Sequence, residues 1–165
     1  MELWDLYDSE RRPLGRTHRR GDEMRPGEYH IDVEIWTVNS KKEILVTLRD
    51  PGKEMFPNKW EPTGGAALAG ETSVEGAVRE LREETGISVS ESELFLLGTQ
   101  QREFDFMDAY LLHCDISVSG LTLQEGETVD AKWVTPEQLE EMCADGSFAA
   151  PGGQRFALFR DKIMA

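Results

Sequence analysis

Five stretches combine period-2 alternation with β-branched and aromatic residues: 29–38, 43–48, 94–104, 107–116 and 129–134. Each is expected to form a strand. A different period governs 72–85, where Val74, Ala77, Val78 and Leu81 fall at i, i+3, i+4 and i+7. That spacing makes one helix face turned to a core. Thr72 and Glu75 form a capping-box pair at its start, and Gly86 supplies a left-handed stop. A second helix is expected from Pro136, with Thr135 as its cap, toward Ala144; a third covers 154–164. Residues 9–27 show neither period and are expected to be irregular. Hairpin-like strands with a few helices read as one layered α+β or α/β domain over 1–165.

Composition sharpens this picture by exclusion. The chain has 165 residues, 39% hydrophobic and 8% aromatic, enough for a core without disulfide or metal. Lys and Arg total 18 against 32 Asp and Glu, a net charge of −14. A surface this acidic repels a nucleic-acid backbone, so no nucleic-acid partner is expected. An anionic ligand therefore needs positive charge brought in locally. The two cysteines, Cys114 and Cys143, suit reduced thiols and no disulfide framework. The N-terminus carries acids where a signal peptide needs a basic region, and no run is long enough for a membrane helix. A soluble, cytoplasmic protein without a membrane partner is expected.

Candidate chemistry gathers at 64–87. At about 100° per residue, Glu80, Glu83 and Glu84 share one sector of the helix, away from the apolar stripe. Two readings are open from these residues alone. One is a solvated acidic face laced by Glu75–Arg79 and Arg79–Glu83 pairs. The other is a set of oxygen ligands of the kind Mg²⁺ or Mn²⁺ favours.

The surrounding residues decide between them. Gly65, Glu71, Arg79, Glu80, Leu81, Glu83, Glu84, Gly86 and Ile87 stand at the spacing G-x5-E-x7-R-E-U-x-E-E-x-G-U, with U apolar. Chance agreement at nine positions is of order 10⁻¹⁰ per starting point. The segment resembles the Nudix box, and the strands around it suit the Nudix fold, a mixed sheet between helices. The resemblance implies a metal-dependent hydrolase that cleaves a diphosphate linkage in a nucleoside diphosphate derivative or nucleotide by water attack at phosphorus. It implies Glu80, Glu83 and Glu84 as ligands of Mg²⁺ (or Mn²⁺), with the Gly65 carbonyl as a further one. Arg79 then orients the carboxylates, and Glu71 and Gly86 hold the two ends of the box.

A general base is expected outside the box. Glu127 stands six residues before Trp133, a spacing common in the family, and joins Glu83 and Arg79 as the expected catalytic set. Asp105 and Asp108 are weaker candidates for that role. Trp4–Asp8, Arg20-Gly21, 27–30 and Lys53…Trp60 resemble the branch containing type I isopentenyl-diphosphate isomerases. The isomerase carries a cysteine five residues after the tryptophan matching Trp60, and Gly65 stands there. Phe106-Met-Asp108 also lacks its Glu-x-Glu pair, so isomerase activity is not expected. A non-catalytic nucleotide-binding Nudix module is the other alternative, disfavoured by the intact glutamates. Arg20, Lys59, Trp60 and Phe104 are the candidate substrate-binding side chains; the two aromatics either stack on a nucleobase or, as the ordinary role of such rings, pack in the core or a pocket wall. His18 and His30 read as ordinary polar residues. Residues 11–25 hold six arginines against Asp22 and Glu23. This loop is expected either to be solvated against the acidic body, or to close over the substrate or reach a partner's site in a homodimer.

Overall fold

The computed structural model describes residues 1–165. Nine strands and three helices are present: β1 Leu3–Tyr7, β2 Pro13–Arg19, β3 His30–Val38, β4 Ile44–Arg49, β5 Trp60–Glu61, β6 Thr63–Ala66, α1 Ser73–Thr85, β7 Phe95–Gln101, β8 Asp105–His113, β9 Thr128–Val134, α2 Pro136–Asp145 and α3 Ala150–Ile163. β3 is the hinge of the sheet. It pairs in parallel with β8 along its whole length, antiparallel with β6, and touches β4 only at Val38↔Ile44. β7 flanks β8, while β4 carries β9 and β5. The sheet therefore splits beyond the β3–β4 corner into two leaves, with a gap between them.

Alternation along β3 distributes the core. Ile31, Val33 and Ile35 pack with Ala77 and Leu81 of α1. Trp36 and Val38 pack on the other face with Leu139 and Met142 of α2 and Phe156, Phe159 and Ile163 of α3. Each such side chain fully buried contributes about 1.5–3 kcal/mol, so the two layers fix β3 from both faces. The first half of β3 departs from this rule. His30, Asp32 and Glu34 share the face of Trp36 but bring polar groups to the sheet.

The expected capping of α1 is present. The Thr72 hydroxyl accepts from the Glu75 amide at 3.3 Å, the Glu75 carboxylate accepts from the Thr72 amide at 2.7 Å, and Gly86 ends the helix at φ +78°. Three expectations are corrected. Residues 9–27 are not irregular throughout: β2 pairs antiparallel with β1. Nearly every β2 side chain is exposed, so neither face needed apolar residues and no alternation marked it. β5 and β6 were missed because two- and four-residue strands, rich in Gly, are specified by pairing to β4 and β3 rather than by their own pattern. α3 starts at Ala150 rather than 154, because Pro151, Gly152 and Gly153 read as a turn but sit in its first turn. No helix is long and apolar enough to cross a membrane.

Candidate active site

The glutamates of α1 face the short strand β6. Strand and helix approach so closely that a Cβ built on Gly65 would lie 2.5 Å from the Glu80 carboxylate. A side chain at Gly65 would displace the Glu80 carboxylate from its present position. Arg79 turns inward and joins the pieces with one guanidinium. Its Nε and Nη2 donate to Glu71 at 2.7 and 3.1 Å, Nη2 also to the Ala66 carbonyl at 2.9 Å, and Nη1 to Glu80 and Glu83 at 2.8 and 3.1 Å. Burial opposes the Arg79 charge, but Glu71 and Glu80 outweigh it and hold its pKa above the usual arginine value. Glu71 also accepts from the Leu68 amide at 2.8 Å, tying the loop before α1 to the helix. Of the two pairs expected on a solvated face, Arg79–Glu83 is present, whereas Glu75 is engaged in the cap and Arg79 is largely buried.

Glu84 is the decisive residue. It is 8% exposed, and its Oε2 has no hydrogen-bond partner. Burial first, then the neighbouring Glu61 and Glu80 charges, push its pKa well above the carboxylate range. Burial likewise raises Glu80. Leaving a buried carboxylate oxygen unpaired is expensive, and a bound cation removes that penalty. The donor set is all oxygen, clustered and anionic, and it fits a hard divalent ion.

A cleft of about 450 Å³ opens over these carboxylates. Arg20, Arg49, Lys53 and Glu127 line it too, together with Trp4 and Phe56. Lys53 is ion-paired with Glu127. The Asp50 amide donates to the Glu127 carbonyl at 2.9 Å, which ties the β4–β5 loop to the turn before β9. Arg49 pairs with Glu61 at 2.9 Å and Arg20 with Glu2 at 2.9 Å. Each of the three cations of the cleft is thus paired with a carboxylate.

Other expected residues lie elsewhere. Lys59 donates to the Gly146 carbonyl, on a separate, more apolar cavity. Trp60 packs on the Trp36 core beneath the Lys132 ammonium, 4.3 Å from the ring centroid. Phe104 is half-buried and lines neither the cleft nor the pocket beside it. Asp108 is 2% exposed and fully occupied: it accepts from Arg11 at 2.8 Å, Thr99 at 2.6 Å and Ser73 at 2.5 Å. Asp105 is held by Arg102 at 2.7 Å. The arginines of 11–25 are mostly spent inside the chain, Arg11 on Asp108, Arg12 on Asp8 and Arg16 on Glu28; Arg20 reaches the cleft. His30, Asp32 and Asp105 converge within 4.8 Å, and Arg102 supplies the positive charge there, bonding Asp32 at 2.8 Å. Burial lowers His30 to about 4, and burial with the nearby Asp105 raises Asp32 to about 7.

The NUDIX domain family model matches residues 28–152. The chain belongs to the Nudix hydrolase family. An uncharacterized Nudix hydrolase of Listeria monocytogenes is 39% identical over 149 residues, covering 90% of this chain and 88% of that one. A crystal structure of a Deinococcus radiodurans protein superposes with a TM-score of 0.78 at 26% identity, covering 97% and 98% of the two chains. An isopentenyl-diphosphate Delta-isomerase of Escherichia coli is 26% identical over 110 residues, 63% of this Nudix hydrolase and 60% of that enzyme. The likeness to that branch is real, yet Gly65, beside Glu80, stands where the isomerase carries its cysteine. Glu2, Trp4 and Arg20, all outside the matched 28–152, line the same cleft as the box. Sequence reasoning missed Phe56 and Arg49. The signal for Phe56 was an aromatic set between Pro51-Gly52 and Pro57-Asn58, where a loop has no core to fill.

Proposed function

We propose that this Nudix hydrolase cleaves a diphosphate linkage in a nucleoside diphosphate derivative or nucleotide, with Mg²⁺ as cofactor and Mn²⁺ as substitute, and that 1–165 acts as one unit. The observation that carries the reading is Glu84, a buried carboxylate with an unpaired oxygen beside Glu80 and Gly65. Glu80, Glu83, Glu84 and the Gly65 carbonyl would hold the metal. When bound, the metal neutralises the diphosphate and polarises the phosphorus.

The chain's own groups supply the rest. Arg79, fixed by Glu71, aims Glu80 and Glu83. Arg20, Arg49 and Lys53 give the phosphates a positive wall that the net charge of −14 otherwise denies them. The Glu127 carboxylate, on that wall, takes the proton of the attacking water. A phosphate-release screen tests the reading across nucleoside di- and triphosphates, sugar nucleotides and isopentenyl diphosphate, with Mg²⁺ and with chelator. Metal-dependent release from nucleotides is expected. No release from any compound, or isomerisation of isopentenyl diphosphate, overturns it.

A further inference from the structure

A second cavity, of about 490 Å³, lies between the C-terminal end of α2, the first two turns of α3 and the loop joining β4 to β5. That volume is within the roughly 300–1,000 Å³ of small-molecule sites. Its walls are mostly apolar. Phe148 and Ala149 are buried at its floor, and Phe56 and Ala157 stand exposed at its rim. The two helices meet closely beneath it: a Cβ built on Gly153 of α3 would lie 2.9 Å from the Cys143 sulfur of α2. No carboxylate of α1 and no cation of the catalytic cleft lines this cavity.

Charge sets the cavity apart. The chain has 32 Asp and Glu residues, and the catalytic cleft, the pocket behind Gly64 and a surface pocket beside Trp133 all present carboxylates. The α2–α3 cavity presents none. Its one charged side chain is Lys59, which donates to the Gly146 carbonyl at the mouth. An ammonium has three hydrogens, so two remain for a ligand. The acids nearest this mouth are already served. Hydrogen bonding from Ser147 first, then the charges of Lys59 and Lys132, hold Asp145 below the usual carboxylate range. Glu140, one turn before Cys143, is paired with Arg160 at 2.6 Å. Asp145 is thus shared by two ammoniums, and Lys59 keeps charge to offer.

We infer that the α2–α3 cavity binds a small amphipathic anion, with its apolar body against Phe148, Ala149 and Ala157 and its carboxylate or phosphate head on Lys59. The inference is independent of the hydrolase reading, since it uses no residue of the box. A polar ligand would give up its hydration to walls that return few hydrogen bonds. A cationic ligand would meet Lys59 as a like charge. An uncharged apolar one would bury its surface and leave Lys59 unused. Only an apolar body with an anionic end uses both parts of the cavity. Phe56 is the single side chain that lines this cavity and the catalytic cleft alike. One ring therefore separates two sites of opposite character.

The test is binding to the full chain, read by calorimetry and by the rate at which iodoacetamide alkylates Cys143. Cys114, half-buried like Cys143 but packed on the α1 side of the sheet, is the internal control. The probes are decanoate and decyl phosphate, below their micellar concentrations and without divalent metal, with decanol and decyltrimethylammonium as uncharged and cationic counterparts. At least one anion is expected to bind about fivefold or more tightly than decanol, the upper scale of a partly exposed ion pair. It should slow alkylation of Cys143 and not of Cys114, and the tighter anion identifies the head group. Each methylene removed from its tail should cost up to about fourfold, the scale of burying one CH₂. Lys59→Met is expected to erase the preference over decanol. Ala157→Trp, at an exposed position, is expected to weaken every probe about tenfold by filling the cavity, with the melting temperature of the parent. The inference is overturned by no binding of either anion, by decanol or the cation binding as tightly, or by equal protection of both cysteines. Displacement of the bound anion by α,β-methylene-ADP with Mg²⁺ overturns it too, because the cavity would then be an arm of the catalytic cleft.

Discussion

The two walls of the cleft are built by different routes. One wall is a single continuous segment, β6 through α1, whose carboxylates share a face because of helical spacing and whose orientation is set by one arginine. The other is assembled from the β1–β2 hairpin, the end of β4, the loop after it and the turn before β9. The first wall is rigid and locally encoded. The second exists only once distant segments have met, held by pairs such as Lys53–Glu127 and Arg20–Glu2. A wall of the first kind suits chemistry that must not vary, and one of the second kind suits recognition that can.

The largest effect is expected on the continuous wall. Glu84→Gln should reduce turnover by more than the roughly 10–100-fold typical of losing an outer partner of a metal site. The same change removes a buried, unpaired charge, so the metal-free variant should melt at a higher temperature than the parent at neutral pH. Added Mg²⁺ should raise the melting temperature of the parent and not of the variant. Full activity in Glu84→Gln, or no metal effect on the parent, would break the distinction between the walls. On the assembled wall, Glu127→Gln should lower kcat by about 10²-fold, the low end for loss of a general base. A kcat equal to that of the parent removes Glu127 from the chemistry and leaves its wall a purely binding one. Arg79→Lys is expected to cost about 10–100-fold, since a point charge cannot span Glu71, Glu80 and Glu83 as a guanidinium does. Weakened Mg²⁺ affinity in a direct titration should accompany it. Unchanged affinity would assign Arg79 to packing alone.

What could be read from the sequence follows the same division. Glu80, Glu83 and Glu84 were legible because i, i+3 and i+4 fix neighbours within one helix. The distance of Glu127 from Trp133 makes it a candidate, and it lines the same cleft as Glu80, Glu83 and Glu84. Aromaticity alone leaves Trp60 and Phe104 open between stacking and core packing, and Trp60 packs on the core. Phe56 was overlooked, because its exposure follows from the path of a loop and not from any period. By count, the arginines of 11–25 leave open a loop solvated against the acidic body and a phosphate clamp. Arg12 pairs locally with Asp8, but Arg11–Asp108 and Arg16–Glu28 join separate segments, and those pairings are tertiary information. β2 escaped for a related reason, since an exposed ribbon carries no burial pattern to read.

The smallest effect expected concerns the place where the hairpin meets the sheet. His30, under Trp4, is held neutral by burial, with its pKa at about 4 against 6.5 for a free side chain. A lowered value means that the unfolded chain takes up a proton which the folded chain refuses. His30 therefore leaves the fold undisturbed above pH 6.5, and stability is lost as the pH falls from there toward about 4. Glutamine at this position keeps polar atoms without the titration. The His30→Gln variant should lose less melting temperature than the parent between pH 6.5 and 4, although it begins lower for want of the Trp4 stack. Parallel curves would mean that His30 does not control this window. In that case His30 serves the hairpin through the Trp4 stack alone, beside the Arg11–Asp108 and Arg16–Glu28 pairs and the Tyr7–Tyr29 backbone hydrogen bonds, none of which depends on its titration.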